Sequence, residues 1–314
     1  MITFASTWNY IYYWLRPLIK WFLHRTTQLC ELQRICYGLK SGCERIRGVE
    51  HSLSLSKCKN IRLLMMRLDE ISSEKQFLSN KQQNLVEEAV MIVMLSKRIN
   101  PKVHKPFMKS FGKCVEQIWG YKQLYHEIES LRITQYDSDN DIHENKLYQL
   151  WTLLMPDVNL ETRITKQWQD IGFQGDDPKT DFRGMGMLGL ENLLYFAQEH
   201  NNISSQVLSH SHHPQYGYTF AIVGINLTSM AYKFLKDGSF KTHVYNLAKS
   251  KPSIELFHEF YSYLFYEFDK HWISSKPKSI MSFSFIQERF ENCVRAMLSE
   301  PETVIRIDMP VKNV

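Results

Sequence analysis

Arg183 stands in the run Asp181-Phe182-Arg183-Gly184-Met185-Gly186, on a stretch of chain that also carries Asp176 and Asp177. A guanidinium is always charged, is planar and donates hydrogen bonds in a fixed fork. On a loop it does one of two things. It pairs with a nearby carboxylate, or it reaches out to an oxyanion on another molecule. Composition alone favours the first, with Asp176, Asp177 or Asp181 as the partner.

Three other patterns invite a chemical reading and fail it. Gly184 to Gly189 matches the dinucleotide fingerprint GxGxxG, but that motif needs a buried strand directly before it. Here the preceding residues, Asp176 to Phe182, are polar and contain Pro178. The glycines read instead as a tight turn and a close approach of another chain before a helix beginning near Leu188. Asp137-Ser138-Asp139-Asn140-Asp141 opens like a calcium loop, yet Ile142 occupies the glycine position and Tyr148 the position of the bidentate glutamate, so a turn and a helix N-terminus are expected. His210, His212 and His213 lack an HExxH helix or an adjacent carboxylate and read as a solvated loop rather than a zinc site. No metal is expected.

Composition excludes further classes. The formal net charge of +5 is small for 314 residues, and no basic stripe with interleaved aromatics is present, so no nucleic-acid partner is expected. Cys30, Cys36, Cys43, Cys58, Cys114 and Cys293 form no CxxC pairs and read as reduced thiols.

The elements that position these residues read as helices. Period-2 alternation is sparse, whereas apolar residues recur at three- and four-residue spacing almost throughout, so the fold class is all-α. Leu85, Ala89, Ile92 and Val93 form one face ahead of Asn100-Pro101. Phe107, Phe111, Cys114, Val115, Ile118, Tyr121 and Leu124 form another. Later helices are expected over Glu144–Leu154, Leu160–Ile171, Leu188–Glu199, Ser204–His210, Tyr218–Leu235, Ile254–Trp272 and Ser284–Leu298. Ser54 to Gln83, rich in Ser, Lys and Asn, reads as an irregular connection or a loosely held helix.

Ile2 to Leu23 is nearly continuous aromatic and aliphatic residue, interrupted by Arg16, Pro17 and Lys20. Its uninterrupted apolar part ends at Leu15, short of the roughly 20 residues a spanning helix needs. Abundant Trp and Tyr suit the membrane-water boundary, so residues 1–23 fit best as a peripheral, interfacial anchor. Packing as a hydrophobic helix on the following domain and a single span are the alternatives. Each membrane reading keeps the body of the protein in the cytosol, because Arg16, Lys20, Arg25 and Arg34 follow the apolar stretch.

The continuous stretch from Trp168 to Gly186, WQDIGFQGDDPKTDFRGMG, resembles the signature of the ELMO domain in the form carried by the small stand-alone ELMOD proteins. The resemblance continues in Cys30 to Arg34, Tyr136 to Asn140, Tyr218 to Thr228 (YTFAIVGINLT) and Tyr263 to Trp272. It implies a helical ELMO domain over 131–300, with a hydrophobic segment (1–25) and a helical region (26–130) before it and a tail (301–314) after it. It further implies acceleration of GTP hydrolysis on GTP-bound Arf or Arf-like small GTPases, with Arg183 as the essential residue. On that reading Gln174, Asp177, Thr180, Asp181, Gly184 and Gly186 form the GTPase-binding loop. Asp177 and Asp181 would hold the arginine extended, and Trp168 and Phe173 would anchor the loop in the core. No cofactor is expected, because GTP and Mg²⁺ belong to the partner, and the expected location is cytoplasmic and membrane-associated. The rival reading is a non-catalytic scaffold of the kind formed by the larger ELMO proteins.

Overall fold

The computed structural model describes residues 4–72, 79–247, 249, 251–277 and 279–307, with side chains from residue 14 onward except those of 79–83 and 280. Among them the regular elements are α-helices and three short 3-10 turns, so the all-α class is observed. The chain divides into two compact units, the first ending at Gly120 and the second beginning at Tyr121.

The first unit holds α1 (Phe4–Thr27), α2 (Glu31–Gly38), α3 (Cys43–Ser54), α4 (Lys59–Ser72), α5 (Ser79–Ser96) and the start of α6 (Lys105–Ile133). Helices α2 to α5 pack in chain order, each on the next. Much of the stretch read as an irregular connection or a loosely held helix is the regular helix α4. Ile61, Leu64 and Leu68 fall on one face at helical spacing and are buried, a signal blurred by the apolar but exposed Leu63 and Met66 between them. Residues 73–78 of that stretch lie outside the described residues. The face predicted along α6 is observed, with Phe107, Phe111, Cys114, Val115 and Ile118 buried. In the N-terminal segment, side chains 1–13 lie outside the described residues. No helix among those described is long and apolar enough to cross a membrane.

The second unit is built from α7 (Asp141–Leu154), α8 (Gly186–Glu199), α9 (Asn201–Ser211), α10 (Phe220–Asp237), α11 (Lys241–Leu247), α12 (Ile254–Ser275) and α13 (Phe283–Ser299). Its centre is the mutual packing of α8, α10 and α12. They meet at Gly224, where a Cβ would lie 2.5 Å from Leu193 Cδ2 and 2.8 Å from the Tyr261 hydroxyl, so only glycine lets the helices approach this closely. The rings of Phe196 and Phe220 pack on Phe265 at 5.1 and 4.8 Å between centroids. A buried polar chain threads the same centre: His258 Nδ1 bonds Asn192 Oδ1 at 2.7 Å, and Asn192 Nδ2 donates to Thr228 Oγ1 at 3.1 Å. Its members bond one another, so it fixes the register of the three helices.

Two expectations change here. Leu160–Ile171 is not an α-helix; only Lys166–Ile171 forms a 3-10 turn. Local side-chain bonds compete with the helix: the Gln167 side chain accepts from Glu161 N at 2.8 Å and donates to Asn159 O at 3.0 Å, and Thr165 Oγ1 caps Gln167 N at 3.3 Å. Of the three histidines read as a solvated loop, His212 and His213 are exposed in the turn after α9, whereas His210 is half-buried on the helix itself. His210 Nδ1 meets the buried Asp269 carboxylate at 2.6 Å, His212 Nε2 donates to Asp170 O at 2.7 Å, and His213 Nδ1 accepts from Gln215 N and Tyr216 N at 3.1 Å. The Asp137–Asp141 run behaves as read, with Asn140 Oδ1 capping α7 through Ile142 N at 3.0 Å.

Two buried histidines make the second unit sensitive to acid. His243 Nδ1 accepts the Ile305 N–H at 2.9 Å, a bond that only a neutral imidazole can take. Burial pushes both His243 and His258 down to about 4, from an ordinary value of 6.5. Between those values the unfolded chain binds protons that the folded chain does not, so each histidine's contribution is lost as pH falls through that window, by at most about 3 kcal/mol. We expect the urea midpoint of His243→Gln to fall less between pH 7 and pH 5 than that of the wild type. Parallel pH profiles would show that His243 is not part of the acid response.

Candidate functional site

The residues from Gly172 to Gly186 make an excursion from the core that begins and ends on a left-handed glycine. Gly172 has φ +83°, and a Cβ there would lie 2.2 Å from the Phe220 nitrogen at the start of α10. Gly186 has φ +53°, and its Cβ would lie 2.4 Å from the carbonyl oxygens of Arg132 and Thr134. Both ends are therefore backbone-on-backbone contacts that no other residue type allows. Hydrogen bonds complete them: Ile222 N donates to Gly172 O at 3.3 Å and Met187 N to Thr134 O at 2.8 Å.

Between the ends, two phenylalanines hold the excursion to the core. A chain of ring contacts runs Trp151, Trp168, Phe173, Phe182, Tyr136, with centroid distances of 5.4, 5.9, 5.6 and 5.4 Å. Trp168, Phe173 and Phe182 are buried, and Trp168 Nε1 donates to Arg163 O at 3.0 Å, so the indole has its polar partner. Edge-to-face pairs of this kind contribute roughly 0.5–1.5 kcal/mol each beyond the area they bury. Trp168 and Phe173 thus take the core positions read for them.

The middle of the excursion is tied by charge. Arg163 Nε donates to Glu144 Oε2 at 2.5 Å, while its Nη1 stands 3.0 Å from Asp177 Oδ1 as an ion pair. Burial opposes the Arg163 charge, but the Glu144 bond and the neighbouring acids outweigh it and raise its pKa. Tyr136 donates its hydroxyl to the same Glu144. Arg163 and Glu144 were not singled out from sequence, since neither sits in a recognisable motif. Only their common neighbour, the loop, reveals them.

The acids of the loop serve its backbone. Asp177 Oδ1 accepts from Lys179 N at 2.9 Å and caps the 3-10 turn Pro178–Arg183, whose Pro178 is buried at its first position. Asp181 Oδ2 accepts from Gln174 N at 2.9 Å across the mouth of the loop. Burial pushes the Asp181 carboxyl up, resisted by that Gln174 bond; the Asp177 charge raises it further and the Arg183 charge lowers it. Asp176 Oδ1 accepts from Gln169 Nε2 at 3.1 Å.

Arg183 is exposed, and among the described residues its guanidinium has neither a hydrogen bond nor an ion pair. Gln174, Thr180 and Gly184 are exposed with it, whereas Asp177 and Asp181 are half-buried and Gly186 is buried. The structure therefore brings six of the seven predicted residues onto one loop surface and assigns Gly186 to the core contact behind it. What remains outside is a forked cation on a braced loop. A group of this kind can bind an oxyanion on another molecule.

The ELMO/CED-12 family profile matches residues 126–287, which contain the whole of this loop and its supports. ELMO domain-containing protein 2 of Bos taurus is 46% identical over 296 residues, covering 94% of this chain and 96% of that protein. ELMO domain-containing protein 1 of Mus musculus is 40% identical, covering 91% and 89%. ELMO domain-containing protein B of Dictyostelium discoideum is 34% identical, covering 87% and 92%. No solved structure matches.

The two glycines flanking Met185 differ in what they allow. Gly184 has φ −80° and nothing within 4 Å of where a methyl group would stand, so alanine fits there. We expect Gly184→Ala to change stability by under about 1 kcal/mol and Gly186→Ala to cost at least about 2 kcal/mol. Urea unfolding of the two variants checks this, and equal midpoints would mean that Gly186 does not pin the loop.

Proposed function

This chain belongs to the ELMO/CED-12 family, and from that premise we propose that it is a GTPase-activating protein for Arf or Arf-like small GTPases, with Arg183 supplied to the partner's nucleotide site. The observation that carries the reading is the exposed guanidinium with no hydrogen bond or ion pair among the described residues, on a loop whose neighbouring carboxylates are hydrogen-bonded to other groups.

Phosphoryl transfer from GTP develops negative charge on the transferred group and on the bridging oxygen. A guanidinium brought into that water-poor site donates two hydrogen bonds to it and keeps its own charge. Arginines acting in this way accelerate hydrolysis by about a thousandfold to a hundred-thousandfold, or roughly 4 to 7 kcal/mol of barrier. GTP and Mg²⁺ are the GTPase's own, so this chain supplies position and charge and needs no cofactor. Bracing at Gly172, Gly186 and Arg163 supports the role, because a loop already ordered gives up little entropy on docking. Gln174, Thr180 and Gly184 are the residues that would contact the GTPase around the arginine. Gly184, with open space where a side chain would stand, leaves room for a close approach.

The experiment is single-turnover hydrolysis by purified GTP-loaded Arf and Arf-like GTPases, with binding followed in parallel. Wild type should accelerate hydrolysis on at least one member. Arg183→Ala and Arg183→Lys should lose about a thousandfold of the stimulation or more, with GTPase affinity and thermal unfolding little changed. If the GTPase binds but its hydrolysis is unaltered by wild type, the non-catalytic scaffold reading replaces this one.

A further inference from the structure

The first unit contains a cavity of about 830 Å³ whose walls come from α1, from the start of α2 and from the ends of α3 and α5. Six cations line it, Arg16, Lys20, Arg34, Lys57, Lys97 and Arg98, against the single carboxylate of Glu31. Glu31 is already taken: Arg16 Nη2 stands 3.1 Å and Lys20 Nζ 2.6 Å from its two oxygens, and Ser52 Oγ donates to it at 2.6 Å. Arg34 Nη1 donates to Leu29 O at 2.6 Å. The charges of Lys57, Lys97 and Arg98 have no hydrogen-bond or ion-pair partner among the described residues.

Arg16 marks the cavity as a site rather than a basic surface. The residue is only 8% exposed, and its Nε, buried, has no hydrogen-bond partner. A buried guanidinium N–H left unpaired costs free energy that an acceptor entering the cavity would recover. Arg98 lines the same cavity. It holds a left-handed backbone at φ +53°, uncommon for a residue with a side chain, where the chain turns off the end of α5.

The source of that acceptor follows from the other side of α1. Arg16 and Lys20 turn one helical face into the cavity, with Trp14 at its edge, while Leu18, Trp21 and Phe22 form a second stripe that is 64, 66 and 59% exposed. An apolar, Trp-bearing stripe beside a basic cavity matches a lipid surface on both counts: rings at the headgroup level and cations at the phosphates.

We propose that this cavity receives the phosphorylated headgroup of an anionic membrane lipid while the exposed stripe of α1 lies in the bilayer interface. A volume of this size accommodates a phosphorylated sugar headgroup. The proposal does not rest on the function assigned to Arg183, and the two fail separately.

The test is co-sedimentation of the full chain with vesicles of phosphatidylcholine alone, with phosphatidylserine, or with phosphatidylinositol phosphate at matched surface charge. Binding should be strongest to the phosphatidylinositol phosphate vesicles and should be competed by soluble inositol phosphate. The triple variant Lys57→Ala, Lys97→Ala, Arg98→Asn, whose last change suits a left-handed position, should bind about a hundredfold more weakly, at roughly fivefold per cation. Trp21→Ser should weaken binding to every vesicle, and circular dichroism should show both variants folded. Four results would overturn the proposal: wild-type binding by the folded triple variant; equal binding to neutral vesicles; equal binding to the two anionic compositions, which would mean diffuse charge; and capture of soluble inositol phosphate without vesicle binding, which would assign the cavity to a free phosphate.

Discussion

The second unit's functional surface depends on two places where one backbone lies against another with no room for a Cβ. At Gly172 the chain presses on the first turn of α10, and at Gly186 it presses on the last carbonyls of α6 and the residue beyond it. Each glycine takes a left-handed conformation there, so steric contact and backbone angle select the same residue type. The segment between them is held by further contacts of its own. Phe173 and Phe182 then bury their rings on the core, and the exposed residues of the loop are left to face outward.

Electrostatics completes what sterics begins. A loop carrying three aspartates and one arginine would ordinarily neutralise itself, and that would remove the arginine from use. Here each acid has prior work: Asp176 with Gln169, Asp177 with Lys179 and Arg163, Asp181 with Gln174. The decisive partner is Arg163, a second guanidinium that takes the Asp177 charge from below and is itself held by Glu144. One arginine is consumed as structure so that the other remains available. This is consistency between levels, since the interaction that orders the loop also withholds the competing partner.

Much of the fold was legible because burial follows helical spacing. The stripe along α6 and the later helices other than α11 could be located to within a few residues from apolar periodicity alone. The weak signal of α4 has a physical reason, as Leu63 and Met66 are apolar yet exposed and blur the stripe made by Ile61, Leu64 and Leu68. The segment before Trp168 failed for another: Gln167 and Thr165 bond to nearby backbone, and single-residue bonds of that kind have no period to detect. The loop's importance could be read from its continuous resemblance to a known signature, and its core anchors from their aromatic character. Arg163 and Glu144 could not be read, because an ion pair between residues 19 apart leaves no mark on either one's neighbourhood in sequence.

Gly184 and Gly186 show how a motif of identical letters carries two unlike constraints. Gly186 is required by this chain: its missing side chain makes way for carbonyls of the same molecule. Gly184 is required by nothing in this chain, since its φ suits any residue and the space beside it is open. A residue that the fold leaves free to vary, placed directly after an exposed and unpaired arginine, is where a demand from outside the molecule would be written. Under the proposed function, the asymmetry would put the docking face on the Gly184 side of the loop and the supporting face on the Gly186 side. A partner reaching Arg183 from the first direction meets no bulk, and from the second it would meet the protein's own core.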